Sequence, residues 1–222
     1  ALRAYEGHRI HLHPRGYLRE ASPDDVSAGA FYEMGGNLYS MGRGMGVNDS
    51  KAGALIAWLR REGVAPAPRR ILDLGCSAGA STAPYAVAFP DAEVHGIDLG
   101  AAMVRYAHAR AESLGARVHF HQMDATDLRF PDGHFDLVVS HNLLHEISDG
   151  TRQRMFHEIA RVLAAGGTCI LQDVAIRTGG RSLFETAERA WDVEFNDEPY
   201  WMEYADAPIL EELQAAGFPA GA

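Results

Sequence analysis

The stretch Ile71-Leu72-Asp73-Leu74-Gly75-Cys76-Ser77-Ala78-Gly79 decides the fold, because a short apolar run leads directly into glycines and then into a helical pattern. Glycine lets the backbone approach a ligand closely, and the first turn of the next helix offers free N–H groups. Three residues separate Gly75 from Gly79, so the G-x-G-x-x-G fingerprint of dinucleotide sites is absent. The stretch predicts a nucleotide-like ligand. The carboxylate of Asp73 favours a cationic group over a pyrophosphate.

Short apolar runs alternate with longer amphipathic ones from Arg69 to Val174. This alternation is typical of βα units around a parallel sheet that is buried on both faces. The predicted strands span residues 70–74, 93–97, 117–121, 135–140 and 168–174. The predicted helices span residues 80–89, 101–114 and 151–163, with others over about 50–61, 181–192 and 207–216. We expect Asp149 or Thr151 to cap the helix over 151–163, and the pair Gly166 and Gly167 to end it.

The segments that flank this pattern differ from it in composition. Residues 35–46 hold five glycines between methionine, leucine and tyrosine residues, which is a composition suited to an adaptable lid. We therefore divide the chain into an N-terminal lid, residues 1–48, and a ligand-binding domain, residues 49–222. Within that domain, residues 69–174 carry the core motifs and residues 181–216 form a helical insertion on the substrate side.

Length and charge exclude several classes of protein. The 222 residues are enough for one sizeable core. A formal net charge of −10 repels phosphate backbones and anionic lipid surfaces, so we predict neither a nucleic-acid nor a membrane partner. The two cysteines, Cys76 and Cys169, lack the spacing of a zinc ribbon or a redox pair, which favours a cytoplasmic setting. No apolar stretch approaches the ~20 residues that span a bilayer.

Acidic residues follow the second and third predicted strands. Asp98 ends the second strand beside the glycine loop, where a carboxylate can accept both hydroxyls of a ribose. Asp124 follows the third strand, where it can accept the exocyclic amine of an adenine. His141 opens the loop after the fourth strand. The carboxyl ends of parallel strands share one edge of a sheet, so we expect these residues to face one crevice.

Five motifs in order, ILDLGCSAG, GIDLGAAM, MDATDL, FDLVVSHNLLHEI and RVLAAGGTCIL, resemble those of class I S-adenosylmethionine-dependent methyltransferases of the ubiquinone and menaquinone biosynthesis type. The resemblance covers about Arg69 to Val174 and implies a Rossmann-like α/β fold, with a parallel sheet flanked by helices. It further implies methyl transfer from bound S-adenosylmethionine, which leaves S-adenosylhomocysteine. The cofactor residues that it implies are Asp73, Gly75, Cys76 and Gly79 for the methionine part, Asp98 for the ribose, Leu99, Met103, Asp124 and Ala125 for the adenine, and His141 near the methionine part.

The family pattern also contains a sixth and a seventh strand, for which this chain has no residues after Gly217 and Phe218. We expect either that the covered sequence omits a C-terminal portion or that the sheet ends at five strands. In the second case a partner, such as a second copy in a homodimer, or the N-terminal segment must cover the exposed edge.

The histidines after the fourth strand are candidates for a catalytic base. His141 and His145 lie four residues apart and titrate near neutral pH, so either can take a proton from an acceptor that must lose one. The alternative for His145 is packing in the crevice wall. We expect no metal site, because no third ligand stands at motif spacing.

The acceptor is a small molecule in this interpretation. Aromatic residues from Trp191 to Tyr204 form either a packed lid, a dimer contact or a pocket for an apolar or aromatic acceptor, and neighbouring acids also suit an amine. The predicted reaction is in-line displacement at the activated methyl group, driven by alignment and exclusion of water. Two alternatives are a catalytically inactive scaffold with this fold and, less favoured, a dehydrogenase that uses NAD(P).

Overall fold

A five-stranded parallel sheet forms the centre of the protein in a computed structural model, which describes residues 16–39, 50–174 and 182–220. The strands are β1 (Arg70–Leu74), β2 (Glu93–Asp98), β3 (His119–Gln122), β4 (Phe135–His141) and β5 (Leu163–Gln172). Their order is β3-β2-β1-β4-β5, and every neighbouring pair is parallel. The α/β class predicted from the sequence is confirmed.

The helices cover both faces of this sheet. They are α1 (Ser27–Tyr39), α2 (Ser50–Glu62), α3 (Ala83–Ala88), α4 (Ala101–Ser113), α5 (Asp149–Val162), α6 (Leu183–Phe195), α7 (Trp201–Ala205) and α8 (Ile209–Ala215). One apolar cluster joins α5 and Tyr204 to one face of the sheet, and a second joins α2 and Tyr85 to the other face. In the part of the chain that the structure describes, no helix combines the length and apolar character needed to cross a membrane.

The order of the strands reverses between β1 and β4. From β1 the chain proceeds outward through β2 to β3, and it then returns to the other side of β1 for β4 and β5. Loops that follow adjacent strands on the two sides of such a point diverge, so a crevice opens at the carboxyl ends of the strands. This crevice is where a ligand-binding site is expected.

Both ends of helix α5 differ from the prediction. Helix α5 begins after Ser148, whose side chain accepts the N–H of Thr151, so neither Asp149 nor Thr151 is the cap. Gly166 and Gly167 do not end this helix, because it ends at Val162 and β5 begins at once. The glycines instead lie in a bulge of β5. On β4, Phe135 pairs with Leu163 and Leu137 pairs with Thr168, so the extra residues between Leu163 and Thr168 form the bulge.

The N-terminal segment folds against the core through α1. The α-carbon of Gly29 lies so close to helix α4 that a Cβ there would come within 2.3 Å of the Cβ of Tyr106. Glu33 on α1 accepts a hydrogen bond from the hydroxyl of Tyr106 and another from Nε of Arg110, at 2.7 Å. The first half of the predicted glycine-rich lid is therefore helical and docked, and residues 40–49 lie outside the described part of the chain.

The C-terminal segment is joined to the core by a buried ion pair. Arg152 on α5 is fully buried and donates from Nε and Nη2 to the two carboxylate oxygens of Glu212 on α8, at 2.8 and 2.9 Å. Arg152 also donates to Asp149, whose N–H in turn donates to Glu203 on α7. Through residue 220 the described chain adds no strand after β5.

Candidate active site

A cleft opens at the carboxyl ends of β1, β2, β3 and β4, where the strand order predicts it. The loops after these strands supply Gly75 and Ser77, Asp98 and Leu99, Met123, Asp124 and Ala125, and Asn142, Leu143 and Glu146. Tyr17, Leu18 and Tyr32 close it from the N-terminal segment. Five of the ten residues predicted to bind cofactor therefore line one cavity: Gly75, Asp98, Leu99, Asp124 and Ala125.

The loop after β1 brings its backbone close to the opposite wall of the cleft. Gly75 has a φ of +67°, and a Cβ at this position would lie 3.0 to 3.3 Å from the side chain of Leu143. Ser77 and Asn142, which both belong to the lining, also have positive φ angles of 47° and 56° although neither is glycine. Such conformations cost free energy and persist at sites where the surrounding structure holds them, often for a ligand.

Asp98 is the best positioned of the predicted residues. Its Oδ2 accepts the N–H of Ser77 at 3.0 Å, and its Oδ1 accepts the N–H of Gly100 at 2.8 Å. Burial raises the pKa of Asp98 to about 6, in spite of these two hydrogen bonds and with the help of the nearby carboxylates of Asp73 and Glu146. The carboxylate is thus fixed in orientation, and its remaining lone pairs are available to hydroxyl donors in the cleft.

The loop after β3 completes the far end of the cleft. Oδ1 of Asp124 accepts both the N–H and the hydroxyl of Thr126 at 2.8 Å, which fixes the turn. Asp124, Ala125 and Leu99 all contribute to the lining. A nucleoside whose sugar contacts Asp98 can therefore place its nucleobase between Leu99 and Ala125, with the carboxylate of Asp124 at the edge of the nucleobase.

Four of the predicted cofactor residues lie behind the lining. Asp73 is buried and accepts the hydroxyl of Thr82 at 2.6 Å. Burial raises the pKa of the Cys76 thiol well above its usual value, and Asp98 and Asp73 add to this effect. Gly79 packs against Phe120 and Ala107, and Met103 on α4 is fully buried. These four residues are buried beside the cleft and do not belong to its lining.

His141 also lies away from the cleft. Its Nε2 is 2.9 Å from the hydroxyl of Tyr85, and its Nδ1 is 2.6 Å from Oε1 of Gln172. The two ring nitrogens therefore bridge the buried Tyr85 on α3 and the half-buried Gln172 on β5. A histidine held in this way joins elements of the core and has no nitrogen left for an acceptor.

His145 lies directly behind the cleft wall in a short 3₁₀ turn, Leu144–Glu146. Its Nδ1 is 2.5 Å from Oδ1 of Asp173 at the end of β5, and its Nε2 is 3.7 Å from Oε1 of Glu146, which lines the cleft. Burial lowers the pKa of His145, but the hydrogen bond and charge of Asp173, together with Glu146 and Glu198, outweigh it and raise the pKa overall. This geometry assigns the proton on Nδ1 to the bond with Asp173 and turns Nε2 toward the acidic wall.

Two groups of site residues were not predicted from the sequence. Glu198 is buried, and one of its carboxylate oxygens lies within 4.8 Å of ligand atoms of both His145 and Glu146. Tyr17 and Tyr32 line the cleft and meet edge to face with ring centroids 5.5 Å apart. The cluster of acids and aromatics around residue 198 was a usable signal, whereas nothing in the sequence distinguished the two tyrosines.

The charges of the cleft suit a cationic nucleoside. Asp98, Asp124 and Glu146 line it, and none of the described residues in this lining is lysine, arginine or histidine. A phosphate would find no basic partner among these residues, whereas a sulfonium would be attracted. The fixed carboxylate of Asp98 and the exposed glycine backbone of the first loop fit a ribose and an amino-acid chain.

Known proteins with similar sequences agree with this fold and this cleft. Residues 71–167 match the family model described as a methyltransferase domain. The chain is 36% identical over 122 residues to the demethylmenaquinone methyltransferase of Thermus thermophilus, and the alignment covers 54% of each protein. It is 35% identical over 106 residues to the ajmaline N-methyltransferase of Rauvolfia serpentina, and this alignment covers 47% of this chain and 35% of that enzyme.

A solved structure agrees with these sequence matches. The Haemonchus contortus phosphoethanolamine N-methyltransferase 2, in complex with phosphomonomethylethanolamine and S-adenosylhomocysteine, superposes with a TM-score of 0.59 at 26% identity. The superposition covers 75% of this chain and 37% of that one. The chain thus spans about half the length, or less, of the relatives named here.

Proposed function

We propose that the protein transfers a methyl group from S-adenosylmethionine to a small-molecule acceptor. The observation that carries the proposal is the carboxylate of Asp98, held by two backbone N–H groups at the rim of a cleft without basic residues in its described lining. The relatives support the same reaction class, since those named above are methyltransferases with different acceptors.

The residues of the lining divide between the parts of the cofactor. Gly75 and Ser77 would face the methionine part, Asp98 the two ribose hydroxyls, and Leu99, Asp124 and Ala125 the adenine. When bound, S-adenosylmethionine supplies a methyl group that is already activated by its positive sulfur. The protein then has to align the acceptor with this methyl group and to exclude water.

His145 is the proposed base for acceptors that must lose a proton. Asp173 accepts from Nδ1, so Nε2 is the atom that takes the proton, and Glu146 connects it to the cleft. The raised pKa of His145 means that its neutral, basic form gains population as the pH rises through that value. We expect His145→Gln to remove a pH-dependent step and to leave the affinity for S-adenosylhomocysteine unchanged. If the pH dependence of the rate is the same in His145→Gln and in the wild type, His145 only packs in the cleft wall.

We keep the division into an N-terminal lid and a ligand-binding domain as a proposal, and we now assign a part of each to one end of the cleft. Residues 16–39 would close the cofactor end through Tyr17 and Tyr32, and residues 198–205 would close the acceptor end beside His145. Apolar and aromatic surface at both ends supports an acceptor with an aromatic or apolar body.

The deciding experiment is a calorimetric titration of the protein with S-adenosylhomocysteine, with NADH as the matched control ligand. We expect heat and a rise in the unfolding temperature with the first ligand alone, because a ligand that binds the folded state stabilises it by mass action. Binding of NADH instead of S-adenosylhomocysteine, or of neither, would refute the proposal.

A further inference from the structure

Carboxylates and aromatic rings cluster beside the cleft around Glu146, at the end that we assign to the acceptor. Glu146 lines the cleft, Glu198 is only 3% exposed, and both lie with His145 in one cluster of ligand atoms within 4.8 Å. The indole of Trp201 meets the ring of His145 edge to face, with centroids 4.8 Å apart. Aromatic faces and carboxylates are the two kinds of group that recognise an organic ammonium in a desolvated site.

Tyr17 connects this cluster to the cleft. Its ring belongs to the lining, and burial raises the pKa of its hydroxyl, with further contributions from the charges of Glu146, Tyr32 and Glu198. The hydroxyl therefore lies in the field of both glutamates. A molecule beside Tyr17 experiences the same negative potential, which is scarcely screened at this depth.

Two described basic groups belong to this cluster or adjoin it, His145 itself and Arg189 on α6. The guanidinium of Arg189 lies over the ring of Trp201, 5.2 Å from the centroid, and does not belong to the lining of the cleft. The other charged partner of the cluster is Asp173, which adds a further negative charge on the far side of His145. The three carboxylates of Glu146, Glu198 and Asp173 outnumber these two basic groups, so the net charge around the acceptor end is negative.

The sign of this field discriminates between kinds of acceptor. When a neutral amine attacks, its lone pair forms the bond to the methyl carbon, the carbon–sulfur bond breaks with its electrons on sulfur, and the positive charge passes to nitrogen. Carboxylates beside the nitrogen stabilise that arriving charge. When a phenolate or carboxylate attacks, its negative charge must first enter the same field, which repels it.

On these grounds we propose that the acceptor is an amine, and that Glu146 and Glu198 select it by stabilising positive charge at the acceptor nitrogen. This inference rests on the proposed function, since it assigns the substrate class of the same cleft. An amine that arrives protonated gives its proton to Nε2 of His145 before it attacks, and a primary or secondary amine loses a second proton to water after the transfer.

The test measures the preference for positive charge without any turnover. The full chain is loaded with S-adenosylhomocysteine and titrated with 2-hydroxyethyltrimethylammonium and, separately, with its uncharged carbon isostere 3,3-dimethylbutan-1-ol. We expect the cation to bind at least tenfold more tightly. Glu146→Gln and Glu198→Gln should each reduce this ratio about tenfold, whereas the matched variant Glu194→Gln, at an exposed position of α6, should leave it unchanged.

Several results would overturn the inference. Equal binding of the two probes by the wild-type protein would do so without any variant, and so would an unchanged ratio in both glutamine variants with normal unfolding temperatures. A cation preference that vanishes on addition of Mg²⁺ or Mn²⁺ bound at the same cluster would assign the carboxylates to a metal. Failure of S-adenosylhomocysteine to bind at all would instead refute the proposed function, which keeps the two hypotheses distinguishable.

Discussion

Replacement of Asp98 by asparagine should separate stability from cofactor binding. Burial raises the pKa of Asp98 from 3.8 to about 6, so the ionised carboxylate costs the folded protein stability at pH 7. At ~1.4 kcal/mol for each pH unit this cost is at most about 3 kcal/mol, and solvent that still reaches the group reduces it. Asparagine removes the cost but loses one of the two bonds from Ser77 and Gly100, which offsets about 1.5 to 3 kcal/mol.

We therefore expect the stability of ligand-free Asp98→Asn to lie within about 2 kcal/mol of the wild type at pH 7. The sign of the pH dependence follows from the raised pKa. As the pH falls through about 6, Asp98 is protonated in the folded wild type and the free energy of unfolding of the wild type rises. Between pH 7 and pH 5 the variant should therefore become less stable relative to the wild type. Urea unfolding of both proteins at the two pH values measures this difference.

The affinity for S-adenosylhomocysteine should respond far more strongly. Loss of two charge-assisted hydrogen bonds to ribose hydroxyls weakens binding by about 1 to 3 kcal/mol, or roughly tenfold to a hundredfold. Isothermal titration calorimetry provides the measurement, and Asp91→Asn, at an exposed position before β2, is the matched control. Wild-type affinity in Asp98→Asn, or an equal loss in the control, would refute the assignment of Asp98 to the ribose.

Three further predictions concern the scaffold. Burial lowers the pKa of His95 to about 4, so the unfolded chain takes up this proton first and His95 contributes a loss of about 2 kcal/mol of stability between pH 7 and pH 5. Chemical unfolding at both pH values should therefore show that His95→Phe changes by about this amount in the stabilising direction relative to the wild type. Glu212→Gln should cost about 3 kcal/mol in chemical unfolding, because the fully buried Arg152 loses its buried ionic partner and keeps only the more exposed Asp149. An additional Arg152→Met should recover part of that cost. Gly29→Ala should displace α1 from Tyr106, which limited proteolysis would detect as faster cleavage of the N-terminal segment with an otherwise intact core.

The alternation of apolar runs was sufficient to predict the sheet. The strands β1, β2, β3 and β4 lie within two residues of their predicted bounds. For β1, β2 and β4 the reason is that buried parallel strands are short and mostly apolar, whereas β3 at the edge of the sheet has no buried residue. The start of β5 was not predictable. Its first residues pair through a bulge, and the two glycines that resemble a helix end serve that bulge instead.

The cofactor half of the site was predictable for a related reason. A parallel strand delivers the residue after its last buried position to a known edge, so Asp98 and Asp124 follow from the strand pattern alone. Cys76, Gly79 and Met103 show the limit of that reasoning. A residue on the correct loop can point into the core as readily as into the cleft, and the direction depends on contacts with α4 and β3 that the sequence does not specify.

The acceptor half depends on contacts between distant segments, which explains why the sequence did not distinguish Glu198 from the other acids near it and did not indicate Tyr17. What keeps residues 198–216 against the core is the pair of Arg152 with Glu212, together with the burial of Tyr204, whose hydroxyl donates to the carbonyl of Val174 at 3.3 Å. Helix α6 has no comparable anchor, because none of its described residues is buried. The wall that carries Glu198 is therefore held by the chain that follows it, so changes at the ion pair should reach acceptor selection before they reach the cofactor.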